Sequence, residues 1–483
     1  MVAKAGPTPA FAPNTPDFLS PSVSPSGAFS RLTGMKFKPS PLLSGWRLLA
    51  LSSLLLATAC GGGGGGGSST SASSGSSSAS SSGAGTGSSG SSTDTSGSGS
   101  SSGSGSGASS GSGSGTGTST DTGTTTTVDG HTAIQQAPLA QRAGVLAKAL
   151  GRSQRLLVGL GTVNVAPIQA QGLLPDIYDQ YLVGVGPSSW PSWNSPSGAY
   201  VTLVAQRADQ LGAVPMFTLY QMATRGDGVL TGLADTTYMT DYWNNARLLF
   251  QLLANYGKPA LVNLEPDFWG YAQRVNADPT QMLAYVNINP DCASLPNTVA
   301  GMAACLMQSA RKIAPQAYVG FPPSLFEDLR PTEVAYMKKL GADQADFVVM
   351  QTLDRDAGCF EARSVLGECT RAGRNWYWDE TNTTSPTFNE HFALANSYFQ
   401  GLGRPLLWWQ TPLGVPAASP STTSPWRDNR VRYFLTHPAQ LVAAGGVGVV
   451  FSPGQSAQTT IQTDGGQFQT YSKAYLANPT PLP

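Results

Sequence analysis

The chain has 483 residues, with 28 Lys and Arg balanced by 28 Asp and Glu, and a pI near 6.8. A chain of zero formal charge has no basic stripe to neutralise phosphates, which counts against a nucleic-acid partner. Its length would suit two or three average domains, but the residue types are too unevenly distributed for a simple division.

The first quarter is not globular. Met1 to Gly34 is a Pro- and Ser-rich piece ahead of Met35, which reads as the better start, so 1–34 is expected to be a misannotated upstream extension. From Met35 the sequence "MKFKPSPLLSGWRLLALSSLLLATAC" has a basic start, an apolar stretch from Leu48 to Ala59 and small residues leading into Cys60. The apolar stretch is too short to cross a bilayer and has the layout of a secretory signal over 35–59. "LLATAC" before a glycine run resembles the lipobox of bacterial lipoproteins, with Ala57 at the position that usually holds leucine. The resemblance implies lipidation of Cys60 and an exported protein anchored to a bacterial membrane. Residues 60–127 are almost wholly Gly, Ser and Thr and cannot offset the entropy of ordering themselves. As a flexible tether they would span roughly 45 Å root-mean-square.

The cysteines agree with export. Beyond Cys60, four remain in two close pairs, Cys292 with Cys305 and Cys359 with Cys369, which an oxidising compartment would join as disulfides. Neither pair has CxxC spacing and the three histidines lie far from both, so no metal site is expected.

Residues 128–483 form one compositional block of a size that a single α/β barrel commonly fills. Apolar runs of strand length recur eight times: "RLLVGLG" at 155, "QYLVGVG" at 180, "VPMFTLYQM" at 214, "PALVNLE" at 259, "AYVGFPPS" at 317, "DFVVMQTLD" at 346, "PLLWWQTP" at 405 and "VGVVFSPG" at 447. Eight is the number that closes a barrel. Between them helical periods appear, such as Trp243, Ala246, Phe250 and Leu253, or Val299, Met302, Leu306 and Ile313, which read as core-facing stripes. Gly212, Gly257 and Gly403 each stand where a helix C-cap is expected. The fold predicted is a (β/α)8 barrel, distorted in the first unit, where Gly161 to Tyr181 leaves little room for a helix. "APLAQRAGVLAKAL" is expected to close its bottom. An open, distorted sheet is the alternative.

In such a barrel, chemistry gathers at the C-terminal strand ends. These ends offer Gln221, Glu265, Asp267, Gln351, Asp354, Gln410 and Ser452. Period-two alternation puts Glu265 on the face of Leu261 and Asn263, pointing inward. Tryptophans crowd the same end: Trp190 and Trp193, Trp269, Trp376 and Trp378, with Asp379 and Glu380 beside them. Flat apolar faces next to hydrogen-bonding groups suit sugar rings.

With "NLEP" closing its fourth run and an aromatic-lined mouth, the domain resembles the broad superfamily of (β/α)8 glycoside hydrolases. In the largest clan of that superfamily adjacent Asn and Glu on the fourth strand supply the acid/base and a seventh-strand Glu is the nucleophile; here Asn263 and Glu265 are separated and the seventh run ends in Gln410. The tripeptide Glu265, Pro266, Asp267 is similar to a motif of the inverting family 6 cellulases, with the other acidic segment, "LDRDAGC", following rather than preceding it. The resemblance implies hydrolysis of a poly- or oligosaccharide by two carboxyl groups, without cofactor. Glu265 is expected as proton donor and Asp354 as base, with Asp267 its competitor. Gln221, Gln351, Gln410, the five tryptophans, Asp379 and Glu380 are expected to contact the glycan of a monomeric enzyme. Two other readings stand beside this one: a non-catalytic glycan-binding lipoprotein, and a structural Glu265 paired with Arg225 or Arg355.

Overall fold

The structure, a computed structural model, describes residues 129–352, 356–361, 376–417, 425–454 and 458–483. Eight parallel strands close into a barrel in chain order: β1 (Leu157–Gly161), β2 (Ile177–Val183), β3 (Val214–Tyr220), β4 (Ala260–Leu264), β5 (Ala317–Phe321), β6 (Phe347–Gln351), β7 (Leu406–Pro412) and β8 (Gly446–Ser452). Closure is made by β8 on β1, with Leu157 beside Gly448 and Leu160 beside Phe451. The open-sheet alternative is therefore set aside: a closed barrel leaves no unpaired edge.

Helices follow the strands on the outside. Asp235 and Thr298 accept hydrogen bonds from the first-turn amides of Thr236–Tyr256 and Val299–Ile313, and Thr387 with Glu390 forms a reciprocal capping box on Phe388–Leu402. Gly212, Gly257 and Gly403 take the left-handed C-cap conformation that lets each helix turn back into the next strand. The stripes on Thr236–Tyr256 and Val299–Ile313 pack into the layer between helices and strands, with Ile313 at its edge. The first unit is short, as the sequence implies, with only Val165–Ala170 between β1 and β2.

The barrel interior is a separate apolar cluster. Leu157, Ile177, Val214, Met216, Leu261, Phe347, Val349, Leu407 and Val450 meet there, and Ile134, Leu146 and Leu150 of the N-terminal helices plug its lower end. Two buried aspartates anchor that end. Asp176, just before β2, accepts from the Val158 amide at 2.9 Å and pairs with Arg152 and Arg155; Asp346, just before β6, accepts from the Val319 amide at 2.7 Å and pairs with Arg311 and His131. Cys292 and Cys305 form a disulfide. Cys359 is also disulfide-bonded, and its expected partner Cys369 lies outside the described residues.

Candidate functional site at the barrel mouth

Towards the C-terminal ends the interior changes character. Above the apolar layers sit Asp179 of β2, Thr218 of β3 and Asn263 of β4, all fully buried. Thr218 Oγ1 donates to Asp179 Oδ1 at 2.9 Å, and Trp409 Nε1 of β7 donates to Asp179 Oδ2 at 3.0 Å. Asn263 Nδ2 reaches Thr218 Oγ1 at 3.4 Å, while its Oδ1 has no partner among the described residues. Burial pushes the Asp179 carboxyl up to about 7 against these two hydrogen bonds, which lower it. β1 makes room with glycine: a Cβ at Gly161 would stand 2.8 Å from Ser452 Oγ and 3.1 Å from Asp179 Oδ2.

At the strand ends the backbone is strained. Thr162 after β1, Glu265 and Asp267 after β4, Leu325 after β5 and Gln410 within β7 all have positive φ without being glycine. Each such residue costs on the order of 1–3 kcal/mol and persists only where its surroundings over-determine it. These five stand at the C-terminal end of the barrel.

The strain corrects the expected direction of Glu265. Its amide still bonds to Leu219 O at 2.8 Å, but its φ of 55° leaves the strand conformation, so the alternation that would turn it inward stops at Leu264. The carboxyl is instead buried behind β3. Oε2 accepts from the amides of Gln221 at 3.0 Å and Met222 at 2.9 Å, and the Tyr242 hydroxyl of the outer helix acts on the same carboxyl. Burial raises this acid to about 8 despite those amides and Tyr242, which favours its neutral form at pH 7. Of the two ion pairs considered for it, the one with Arg225 is not made, since Arg225 pairs with Asp235 at 2.5 Å; Arg355 lies outside the described residues.

The acid that β4 presents to the mouth is Asp267. Gln351 Nε2 of β6 approaches its Oδ1 at 3.5 Å. A second acid comes from the loop after β3: Asp227 accepts from the Tyr220 hydroxyl at 2.5 Å. Both carboxylates bear on the same two phenols. Burial, then Asp267, then Asp227 push Tyr220 and Tyr271 far above the usual phenol range. Tyr181 completes the group, its ring 6.1 Å from Tyr220 and 5.7 Å from Trp409, its hydroxyl accepting from Gln410 Nε2. Asp227 stands between Gly226 and Gly228, both at positive φ, and a Cβ at Gly228 would press to 2.9 Å on the Tyr271 ring. The "GDG" triplet is thus a turn that only glycine permits, aiming one acid at the mouth.

Of the residues singled out from sequence, Asp267, Gln351 and Gln410 come together here. Several others do not. Gln221 is fully buried, accepting from Trp190 Nε1 at 3.4 Å, and Trp190 packs in the layer beneath the helices. Trp269 donates to Leu264 O at 2.8 Å and packs on Phe268 and Phe321. Trp193 donates to Ser188 O and lies edge-on to Tyr200. Trp378 is enclosed by Phe388, His391 and Arg430. Trp190, Trp269 and Trp378 are buried, so a strand-end position in the chain does not bring them to the mouth, and Trp193 is half-buried against Tyr200. Trp376, half-buried, packs on Phe360 at 4.6 Å. Asp379 folds its own loop, accepting from the amides of Thr381, Thr383 and Thr384, which hold its carboxyl below the usual range. Glu380 accepts from Asn429 Nδ2 at 2.9 Å and Arg432 at 2.5 Å. Asp354 lies outside the described residues.

Sequence reasoning missed Asp179, Asp227, Tyr181 and Tyr220. Asp179 was hidden because β2 begins at Ile177, three residues before the run "QYLVGVG"; extending the period back through Ile177, Asp179 and Tyr181 finds it. Among the described residues no cluster of three or more His, Cys, Asp or Glu is arranged to hold a metal ion.

No family model matches the chain, and no curated protein matches it. Solved structures do. A modular endo-β-1,4-mannanase of glycoside hydrolase family 26 from Cellulomonas fimi is 13% identical, over 72% of this chain and 76% of that one, with a TM-score of 0.41. A family 1 β-glucosidase from Thermotoga maritima is 10% identical, over 65% and 85%, with a TM-score of 0.39. A D-allulose 3-epimerase from Methylomonas sp. is 11% identical, over 62% and 84%, with a TM-score of 0.33. These proteins differ in activity, and the chemistry must be read from this chain's own residues.

Proposed function

We propose that the barrel is an exported glycoside hydrolase, tethered by residues 60–127 to a lipidated Cys60, that cleaves a poly- or oligosaccharide with Asp267 and Asp227. The observation that carries this reading is the placement of two acids at the barrel mouth, Asp227 accepting from the Tyr220 hydroxyl at 2.5 Å and Asp267 approached by Gln351 Nε2 at 3.5 Å, both acting on Tyr220 and Tyr271. Glycosidic cleavage needs one carboxyl group to protonate the leaving oxygen and another to activate water or attack the sugar. Asp267 is assigned the acid. Asp227 is assigned the base, because the Tyr220 hydroxyl already donates to it and so favours its charged, accepting form. Gln410 has no acid to offer as nucleophile on β7, which supports direct attack by water rather than a covalent route through that strand. Tyr181, Gln351 and Gln410 supply the hydroxyl and amide groups that sugar hydroxyls bond.

The test is reducing-sugar release from a panel of neutral and acidic polysaccharides, with Asp267→Asn, Asp227→Asn and Asp354→Asn alongside the wild type. Loss of general acid or base catalysis should lower kcat by about 10²–10⁴ in the first two. Full activity of Asp267→Asn would remove the assignment, and a dead Asp354→Asn with an active Asp227→Asn would move the base to the β6 loop. The amide-rich mouth supports a second reading, binding without cleavage; saturable binding of a glycan that wild type leaves intact would select it.

A further inference from the structure

β7 carries two consecutive tryptophans whose indole N–H groups are held from opposite sides of the barrel wall. Trp408 points outward, and its Nε1 donates to His391 Nε2 at 2.8 Å. His391 sits on the helix Phe388–Leu402 that leads into β7, and burial together with Arg430 and Arg330 holds it neutral, down to about 3. An acceptor at Nε2 requires the neutral ring, so the low value and the bond agree. Trp409 points inward and donates to Asp179 Oδ2 at 3.0 Å. The residue that follows is Gln410, at φ 53°, where the pairing of β7 with β8 slips between Trp408 and Thr411. A left-handed glutamine in a strand relaxes unless its neighbours are pinned. Here both preceding side chains are.

We propose that Asp179 and His391 are positioning residues for Gln410: by holding Trp409 from within and Trp408 from without, they fix the bulge that turns the Gln410 amide onto Tyr181 at the mouth. Asp179 is fully buried and makes no ion pair among the described residues. A carboxylate in that state is expensive, and packing alone would be served better by an apolar side chain. Its two oxygens serve Thr218 and Trp409, so its contribution passes to β7 through the indole. The consequence for function rests on the proposed glycan site, since Gln410 matters only if a ligand meets it there.

Hydrogen–deuterium exchange over residues 405–416 reads the bulge without any ligand. In Asp179→Leu, which removes the acceptor, the amides around Gln410 should exchange about 10-fold faster, the equivalent of one lost hydrogen bond. Asp179→Asn keeps an oxygen for the indole and should exchange like wild type. Should Asp179→Leu fail to fold, Trp409→Phe removes the same bond from the other end and should give the same acceleration, as should His391→Leu from outside. Placing Asp179→Leu in a Gln410→Gly background relieves the left-handed strain and should shrink the effect. Unchanged exchange in Asp179→Leu and Trp409→Phe, or equal acceleration with glycine at 410, would overturn the proposal. A functional arm uses whichever hexasaccharide the wild type binds: affinity should fall about 10-fold in Asp179→Leu and hold in Asp179→Asn, the loss expected for one misplaced hydrogen-bonding group. A wild type that binds no glycan would sink the glycan-site reading alone, because the exchange result stands apart from it.

Discussion

Replacing Glu265 by glutamine separates a scaffold acid from a catalytic one. In the native protein this carboxyl keeps its proton up to about pH 8, whereas an ordinary glutamate ionises near 4.5. Between those values the folded chain binds a proton that the unfolded chain has released, so the acid's contribution is fully present below pH 4.5 and is lost as pH rises towards 8. The slope is about 1.4 kcal/mol per pH unit, or ~3 kcal/mol by pH 7. Glutamine cannot ionise in either state. Its oxygen can accept from the Gln221 and Met222 amides as Oε2 does, and its NH₂ can face the Tyr242 hydroxyl. Glu265→Gln should therefore match wild type within about 1 kcal/mol at pH 5 and exceed it by ~3 kcal/mol at neutral pH, the isosteric amide avoiding the linkage cost. Asp179 drifts in the same direction with pH but is common to both proteins, so it cancels in the difference. Urea unfolding at pH 5, 6, 7 and 8, read as the difference in midpoint, checks this. Parallel curves for the two proteins, or a glutamine variant that is the less stable at pH 7, would refute the reasoning. Turnover, where the wild type shows it, should survive the substitution.

Glu265→Ala should behave oppositely, destabilising by about 2–5 kcal/mol because two buried amides lose their acceptor, measurable in the same urea series. Cys60→Ser should move the protein from the membrane to the soluble fraction on cell fractionation; unchanged membrane association would show that Cys60 carries no lipid. Non-reducing peptide mapping should recover Cys292 with Cys305 and Cys359 with Cys369, and loss of the first bridge should cost about 3 kcal/mol through the unfolded state. Cross-linked pairs between the two loops would contradict it.

The fold was legible because barrel construction leaves a coarse, repeated trace. Eight apolar runs, glycines at helix ends and helical stripes between them are local features, and each survives in the structure. The site was harder to read because it depends on where a strand stops being a strand. Alternation predicts inward and outward faces only while φ stays extended, and β4 abandons that conformation at Glu265. The left-handed backbone at Glu265 and Asp267 thus takes the first acid out of the mouth and leaves the second there. The tryptophans misled for a related reason: a loop sequence without a core period can still fold its rings into the layer under the helices, as Trp190 does against Gln221. Asp227 carried a readable sign, glycine on both sides of an acid, whose meaning emerges only once Tyr271 is seen to fill the space a side chain would need.

Glu265 has a counterpart beside the neighbouring strand β5. Glu333, also buried, accepts from the amides of Ser324 and Leu325 in the loop after β5 and from the Tyr398 hydroxyl. In both cases a turn at the C-terminal end of the barrel is tethered by a buried carboxyl, from the end of β4 in one and from the outer helix Arg330–Leu340 in the other, rather than by a group in the mouth. The turns therefore keep their shape whatever side chains they display inward. A neighbouring inward side chain such as Tyr220 can thus be exchanged without removing the acceptor that holds the turn after β3.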